Sequence, residues 1–390
     1  QCHCVSMKIK EFETFVVGNP PPRFGGRYFL FVKLVTDTGI VGYGEVYAAT
    51  FGAETIAGMI ADTAERHVVG HDPFHIEALF HRVYGSGYSL RPDISLVGVL
   101  SGLEMACWDI IGKACDKPVY ELLGGQVHDR LRTYTYLYPA DGDVYPSDQD
   151  DQHIYVNADV AAQRALDYVE QGFTAVKFDP AGAYTVYDGG MPTLEELDRS
   201  ERFVTTIRAA VGDRADLLFG THGQFTAAGA LRLAKRLEAC DPLWFEEPTP
   251  PENTREMARV AAGTTIPVAT GERLCTKHEF ARVLQAGAAA ILQPNLGRVG
   301  GLLEAKKIAE QIDKKEFNIK KLSTENNELY GSVKPTEISK LIHEIERIEI
   351  KPSMIQPVQE IKSLGKFKVK ISLHSEVDVE ININVLSAEN

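Results

Sequence analysis

Apolar and polar side chains alternate along the first 50 residues, and the spacing then changes to that of helices. Segments 7–17 and 27–47 alternate as strands do, and Asp37-Thr38-Gly39 inside the second segment marks a hairpin turn. Helical patterns follow at 53–68, 75–85 and 97–116. We therefore predict a small α+β domain over 7–125.

From residue 126 onward, short apolar segments alternate with amphipathic helices. The predicted strands lie at 131–138, 175–180, 216–223, 243–248, 266–272 and 289–296. This alternation predicts parallel strands joined by right-handed crossovers, with polar residues at the strands' carboxyl ends. A closed β/α barrel has eight strands, so 126–309 is predicted to be an incomplete α/β barrel of six.

Residue usage changes near residue 309. The chain has 19 Arg and 10 Lys before this point but 1 Arg and 11 Lys after it, and Ala388 is the single alanine after residue 310. We interpret 310–390 as a small α+β domain from a different protein, with a biased insertion or an ordinary second domain of the same protein as the alternative. The patterns predict a helix over 305–317, a strand and turn over 318–333, a helix over 335–346 and a two-strand hairpin over 366–386.

Charge, apolar runs and cysteine content limit the partners and the cellular compartment that we expect. The net charge is −13, almost all of it before residue 311, which argues against non-specific nucleic-acid binding there. No apolar run approaches a membrane span. Six cysteines, with Cys107 and Cys115 predicted as buried thiols, favour a reduced, cytoplasmic setting. Residues 1–6 precede Met7 and are interpreted as an extraneous leader.

Charged residues end three of the predicted strands. Because carboxylates from neighbouring strands repel unless a cation binds them, an oxygen-rich set at this edge suits Mg²⁺. Lys177 and Asp179 are two residues apart on one strand, so both can face the barrel mouth, whereas only one of Glu246 and Glu247 can point inward. A rim of strand-end ion pairs is the alternative. The residues are Lys177 with Asp179, Glu246 with Glu247, and Glu272 with Arg273.

Residues 7–309 resemble the mandelate racemase/muconate lactonizing enzyme branch of the enolase superfamily. The stretch GLEMACWDIIGKACDKPVYELLGG is similar to the end of that family's capping domain. WFEEP, ATGER and LQPNLGRVGG fall at its fourth, fifth and sixth barrel strands. The resemblance implies an α+β capping domain, a β/α barrel and Mg²⁺-dependent removal of a proton next to a carboxylate.

The resemblance also implies roles for single residues. It assigns Glu246 and Glu272 to the second and third metal-binding carboxylates, and Lys177 to the lysine that stabilises the enolate. Two positions depart from the family. Asp179 replaces a second lysine, a general base, and Gly220 replaces the first metal carboxylate. Asp179 is therefore a candidate catalytic residue and a candidate for the missing metal ligand.

His222 matches the histidine that sugar-acid dehydratases of this branch use as a general acid, with a hydrogen-bonded rim histidine as the alternative. The implied reaction removes the α-proton of a sugar acid bound to Mg²⁺ and expels its β-hydroxyl. Arg23, Asn295 and Arg273 are candidate substrate-binding residues. For Arg23, a solvated loop arginine is the alternative.

The resemblance ends after the sixth strand. Dehydratases of this type usually take their base, a histidine, from the seventh strand, and Asn295 replaces the aspartate that often pairs with it. Loss of a general base costs roughly 10²–10⁴ in rate, and the outer strands would have exposed edges. We therefore predict that the chain is inactive or poorly folded.

Residues 314–388 resemble the C-terminal domain of the ninth protein of the bacterial large ribosomal subunit, through ELYGSVKPTEISKLI and the stretch 348–385. The resemblance implies contact with ribosomal RNA. Lys366, Lys368, Lys370 and His374 are the candidate contacts. The near-neutral charge of this segment weakens the case, and a solvated strand face is the alternative.

Three interpretations stay open: a dehydratase joined to a ribosomal-protein fragment, an RNA-binding domain with an inert enzyme fragment, or an artificial join. The artificial join is favoured because nothing links the two chemistries and the junction falls within a predicted helix, 300–310. With a complete barrel, the family would imply a homo-oligomer.

Overall fold

The computed structural model describes residues 7–388 except 22, 24, 48–50, 87–90, 139–152, 182–189, 314–315, 325, 347–350, 358–359 and 375–376. The predicted leader, residues 1–6, lies outside this set. The chain divides into two compact units, Gln1–Lys306 and Lys307–Asn390.

The first unit begins with an antiparallel meander in which β1 pairs with β2 and β2 with β3. Its strands are β1 (Ile9–Gly18), β2 (Tyr28–Thr36) and β3 (Val41–Val46). Its helices are α1 (Ala53–His67), α2 (Ile76–Tyr84), α3 (Ile94–Cys115) and the short α4 (Val119–Leu122). The predicted capping-domain elements are all present.

Helix α3 is the core of this domain. Asp93 caps the helix by accepting hydrogen bonds from the backbone N–H groups of Ser95 and Leu96. The helix packs so closely against β3 that no side chain would fit at Gly44. By length and composition α3 is the one described helix that could cross a membrane, but 72% of its most apolar window is buried in the fold.

The prediction that Cys115 is a buried thiol is wrong. Cys107 is buried in the middle of α3, whereas Cys115 is exposed because it lies in the helix's last turn.

A six-stranded parallel sheet follows, in the order β4-β5-β6-β7-β8-β9. Its strands are β4 (Thr135–Tyr136), β5 (Ala175–Phe178), β6 (Asp216–Gly220), β7 (Trp244–Glu246), β8 (Val268–Thr270) and β9 (Ile291–Leu292). The helices that alternate with them are α5 (Ala158–Glu170), α6 (Leu194–Val211), α7 (Ala227–Leu237), α8 (Thr254–Gly263), α9 (Lys277–Ala286) and α10 (Leu302–Asp313).

The predicted strand order is confirmed, and each strand is shorter than its apolar segment. β5 and β6 are shortened at their carboxyl ends alone, whereas β4, β7, β8 and β9 are shortened at both ends. That this sheet lacks two strands of a closed barrel stays a prediction.

The loop after β9 docks on α3 within the first unit. The Glu104 carboxylate accepts from the backbone N–H groups of Leu302 (2.9 Å) and Leu303 (3.0 Å), and from Trp108 Nε1 (2.8 Å). A side chain at Gly301, whose φ is +93°, would collide with Glu104. The glycines of LGRVGG therefore allow α3 to cap α10, whose first N–H groups have no partner within the helix.

The second unit has a four-stranded sheet in the order β10-β13-β12-β11, with β10 parallel to β13. Its elements are β10 (Glu316–Lys321), α11 (Pro335–Glu346), β11 (Ile355–Pro357), β12 (Gly365–His374) and β13 (Val377–Ser387). Isoleucines and valines form its core, among them Ile338, Val369 and Ile383.

The predicted helix and hairpin of this unit are confirmed. The prediction of a helix over 305–317 is wrong beyond Asp313, because the chain enters strand β10 at Glu316 and pairs there with β13.

Candidate active site

Four titratable side chains meet at the carboxyl ends of the parallel strands. Lys177 lies in β5 and Glu246 ends β7. His222 and Glu272 each lie two residues beyond a strand, β6 and β8. Each interacts electrostatically with others of the set, so the sequence prediction that they share one region is supported by the structure.

Lys177 and Glu246 form a buried ion pair. Their Nζ and Oε2 atoms are 2.6 Å apart, and Glu246 is 1% exposed. Burial lowers the pKa of Lys177, but the Glu246 carboxylate outweighs burial and raises the pKa above its usual value. The amide of Gln293 also donates to Glu246 Oε2, at 3.3 Å. Lys177 is therefore an ammonium at neutral pH.

His222 faces Glu272, with 3.9 Å between Nε2 and Oε1. Burial lowers the pKa of His222; Glu272 opposes this, while Lys177 and Arg273 add to it. The imidazole is therefore mostly neutral at pH 7, and it gains its acidic proton below its usual range.

Arg273 ties three strand-end loops together. Its Nε donates to the buried Glu247 carboxylate at 2.6 Å, and its Nη2 donates to the carbonyl of His222 at 2.7 Å. Burial raises the pKa of Glu247 to about 7, against the effect of Arg273. The guanidinium predicted to bind substrate thus orients the loop that carries His222.

Asp179 accepts from Gln224 Nε2 at 2.6 Å and from the backbone N–H of Ala181 at 2.8 Å. Burial raises the pKa of this carboxyl group to about 7. The side-chain oxygen Oε1 of Gln224 accepts from the backbone N–H of His222. Asp179 therefore reaches the His222 loop through Gln224.

Asn295 and Arg298 shape the loop after β9. Asn295 Oδ1 accepts from the backbone N–H of Gly297 at 2.9 Å, so that oxygen supports the turn. Arg298 donates to the Glu272 carbonyl at 3.1 Å, and its guanidinium lies 4.4 Å from the Tyr47 ring centroid. Arg298 thus links the loops after β8 and β9 to the end of β3.

Arg23 lies in the tight loop between β1 and β2, with φ of +57°. The described hydrogen bonds of this loop are local, such as Gly26 N–H to the Arg23 carbonyl at 3.0 Å. Its predicted contact with substrate stays a prediction.

Sequence reasoning missed Gln224, Gln293 and Arg298. Gln293 and Arg298 lie inside the quoted LQPNLGRVGG motif, and Gln224 directly follows the predicted strand 216–223. What the sequence could not supply was the direction of each side chain, because these residues lie in loops where strand alternation no longer applies.

The donor set fits a three-carboxylate Mg²⁺ site only in part. Glu246 and Glu272 are present, but an ammonium already pairs with Glu246. Arg273 holds Glu247, and Gln224 holds Asp179. Within the described ranges, no group of three His, Cys, Asp or Glu side chains is placed to hold a metal ion.

The three lysines predicted to contact RNA lie on one face of β12. Lys366, Lys368 and Lys370 are exposed, whereas Val369 between them is buried in the core of the second unit. His374 ends the strand opposite Val377, and its side chain is outside the described set.

Family models match three stretches of the chain. Residues 24–124 match the mandelate racemase/muconate lactonizing enzyme N-terminal domain, and 160–320 match the enolase C-terminal domain-like family. Residues 303–387 match the ribosomal protein L9 C-terminal domain. The last two matches overlap across α10, the helix in which residue usage changes.

Relatives agree with these models. The chain is 36% identical to a D-galactonate dehydratase of Ralstonia nicotianae over 78% of this chain and 71% of the relative. It is 34% identical to a D-xylonate dehydratase of Haloferax volcanii over 77% of this chain and 68% of the relative.

A crystal structure of a candidate mandelate racemase/muconate lactonizing enzyme from Labrenzia alexandrii superposes with a TM-score of 0.73 at 67% identity. It covers 78% of this chain and 75% of that chain. The chain therefore belongs, through its first unit, to the mandelate racemase/muconate lactonizing enzyme family of the enolase superfamily, and its residues 303–387 match the ribosomal protein L9 C-terminal domain.

Proposed function

We propose that the first unit is a sugar-acid dehydratase, which removes the proton next to the substrate carboxylate and expels the β-hydroxyl as water. The observation that carries the proposal is the meeting of Lys177, His222, Glu246 and Glu272 at the strands' carboxyl ends. Relatives named D-galactonate and D-xylonate dehydratase support this substrate class.

In this proposal each residue has one task. The Lys177 ammonium attracts the substrate carboxylate and stabilises the negative charge that develops when the α-proton leaves. Asp179, with a pKa of about 7, accepts that proton near neutral pH. His222 donates a proton to the departing hydroxyl, and Arg273 holds the backbone that positions it.

Mg²⁺ is the general cofactor of enolase-superfamily dehydratases, and the family pattern assigns Glu246 and Glu272 to its ligands. When bound, it would neutralise the substrate carboxylate and the developing enediolate. Because only two of three expected carboxylates are in place, no step above depends on it. The seventh-strand histidine has no counterpart in the proposal, so turnover is expected to be slow.

Substrate binding tests the proposal directly. We expect D-galactonate or D-xylonate to bind the full chain saturably in calorimetry, and Lys177→Met to weaken binding at least about tenfold, or 1.4 kcal/mol. Lys277, which pairs with the nearly buried Glu304 outside this site, supplies the control Lys277→Met. Equal affinity in all three proteins would overturn the assignment.

A second candidate function rests on the lysine face of β12. We propose that Lys366, Lys368 and Lys370 bind RNA phosphates, because an alternating row of exposed cations matches a phosphate backbone. In the full chain, replacing all three by alanine is expected to weaken salt-dependent binding of a ribosomal RNA fragment. If that variant binds as tightly as the unmodified chain, or no more weakly than Lys362→Ala, the proposal fails.

The cytoplasmic setting, a homo-oligomeric state and an artificial join stay predictions from the sequence.

A further inference from the structure

Lys177 lies in front of Gly220, the position where the family's first metal carboxylate is expected. The two residues are on neighbouring strands, where Lys177 pairs in register with Leu218. A Cβ built on Gly220 would be 2.5 Å from Cε of Lys177 and 3.2 Å from its Cγ. Any side chain at residue 220 would therefore displace the lysine stem.

The ammonium at the end of that stem faces Glu246, which matches the family's second metal-binding carboxylate. Gly220 pairs in register with Glu246 on the next strand, so the three residues are neighbours across β5, β6 and β7. Lys177 Nζ is 2.6 Å from Glu246 Oε2. A divalent cation bound to this oxygen would compete with the ammonium for the same space and the same charge.

The other carboxylates do not make up for the missing one. Glu247 is held by Arg273 at 2.6 Å, and Asp179 by Gln224 at 2.6 Å. Glu272 faces His222 instead. In the part of the chain that is described, Glu246 has the Lys177 ammonium and the Gln293 amide as its polar side-chain partners.

We infer that Lys177 and Gly220 together replace the divalent cation of this site with a built-in ammonium. Glycine at residue 220 makes room for the lysine stem, and the lysine neutralises Glu246. Lys177 and a divalent cation therefore exclude each other. The inference concerns the site's charge alone and does not depend on which substrate the site binds.

Mn²⁺ binding to the full chain tests this inference without any activity assay, since the signal of free Mn²⁺ in electron paramagnetic resonance reports the bound fraction. The unmodified chain is expected to bind Mn²⁺ weakly. Lys177→Met, which keeps an apolar stem, uncovers the Glu246 carboxylate. Lys177→Ala with Gly220→Asp removes the stem that a side chain at residue 220 would meet, adds a third carboxylate and is expected to tighten Mn²⁺ binding at least about tenfold.

Two further variants make the result specific. Lys277→Met also removes a lysine from a nearly buried carboxylate, Glu304, and is expected to leave Mn²⁺ affinity unchanged. Adding Glu246→Gln to the double variant is expected to abolish the gain. Circular dichroism melting curves show which variants are folded. If the variants with Gly220→Asp are unfolded, the comparison of Lys177→Met with the unmodified chain decides, and Lys177→Met is expected to bind Mn²⁺ more tightly.

Tight Mn²⁺ binding by the unmodified chain, lost in Glu246→Gln, would overturn the inference. So would equal affinities in the unmodified chain and in every folded variant that lacks Lys177. Failure of sugar-acid binding would leave this result unchanged, because the two measurements have separate ligands.

Discussion

The side chain of Lys177 has a different neighbourhood from the one that the family pattern implies. The sequence identified Lys177, Glu246, Glu272 and His222 correctly as strand-end residues, because residue type and position within a strand are visible in the letters. It could not show that the lysine stem fills the space above Gly220, since that depends on a rotamer and on the register of two strands.

His222 gives the first prediction at this scale. Because burial lowers its pKa below the usual value of 6.5, its acidic form is lost as pH rises through that lowered pKa. We expect the residual dehydration rate to fall over the same pH range, which forms the basic limb of the pH–rate profile. His222→Asn should remove the limb and reduce the rate by about 10²–10⁴.

The check is a pH–rate profile with D-galactonate. His278, an exposed histidine on α9, provides the control His278→Asn, whose profile should match that of the unmodified chain. A limb that persists in His222→Asn would show that another group donates the proton.

Enclosed carboxyl groups give the second prediction. Burial raises the pKa values of Asp179, Glu247 and Glu104 to about 7, above their ordinary values near 4. Between the ordinary pKa values and the raised ones, the folded chain binds more protons than the unfolded chain. The free energy of unfolding therefore falls as pH rises through this range. Each group contributes at most about 1.4 kcal/mol per pH unit.

Melting temperatures measured from pH 5 to pH 8 test this sign. The first unit should melt at a lower temperature at pH 8, and Asp179→Asn should flatten the decline. Stability that rises across this window, or a slope that Asp179→Asn leaves unaltered, would contradict the assignment.

At the scale of elements, the alternation of apolar segments and helices was sufficient to predict all six parallel strands. It failed where a short element depends on distant pairing. The three-residue strand β11 was missed because it is held by its register with β12. The helix over 305–317 was predicted too long because local helix propensity cannot reveal that β10 pairs with β13.

The joint between α3 and α10 gives an element-scale prediction. Glu104→Ala removes the acceptor for three donors, Leu302 N–H, Leu303 N–H and Trp108 Nε1. An unsatisfied buried donor costs about 1–3 kcal/mol, so the first unit should lose at least that much stability at pH 6.

Glu121 offers a matched control for this change, since it is an exposed glutamate in an ion pair with Lys117 four residues before it. Glu121→Ala should change the unfolding free energy by less than about 1 kcal/mol. Urea denaturation of both variants provides the comparison, and similar losses in the two would show that Glu104 does not cap α10.

At the scale of the whole molecule, the change in residue usage anticipated two compact units. The structure divides the chain at Lys306/Lys307, close to the predicted break at residue 309. The capping domain and the second unit have separate cores, and among the described residues none belongs to both. The origin of the join is not a physical property of the fold, so neither sequence pattern nor packing decides it.

Separate cores predict separate unfolding. Ile383 is fully buried in the second unit, and Ile383→Ala should destabilise that unit by about 2–5 kcal/mol. Differential scanning calorimetry should show one transition moved to lower temperature and the other unchanged. A shift of both transitions, or a single transition throughout, would mean that the units unfold together.

The rate of sugar-acid dehydration tests the central claim most directly. Formation of the 2-keto product from D-galactonate and D-xylonate would be measured for the full chain and, in parallel, for the Ralstonia D-galactonate dehydratase. We predict slow, saturable turnover that depends on His222 and lies about 10²–10⁴ below the relative's rate, because the seventh-strand histidine is predicted to have no counterpart here. A rate equal to the relative's would contradict the predicted impairment, and no turnover together with no sugar-acid binding would contradict the site itself.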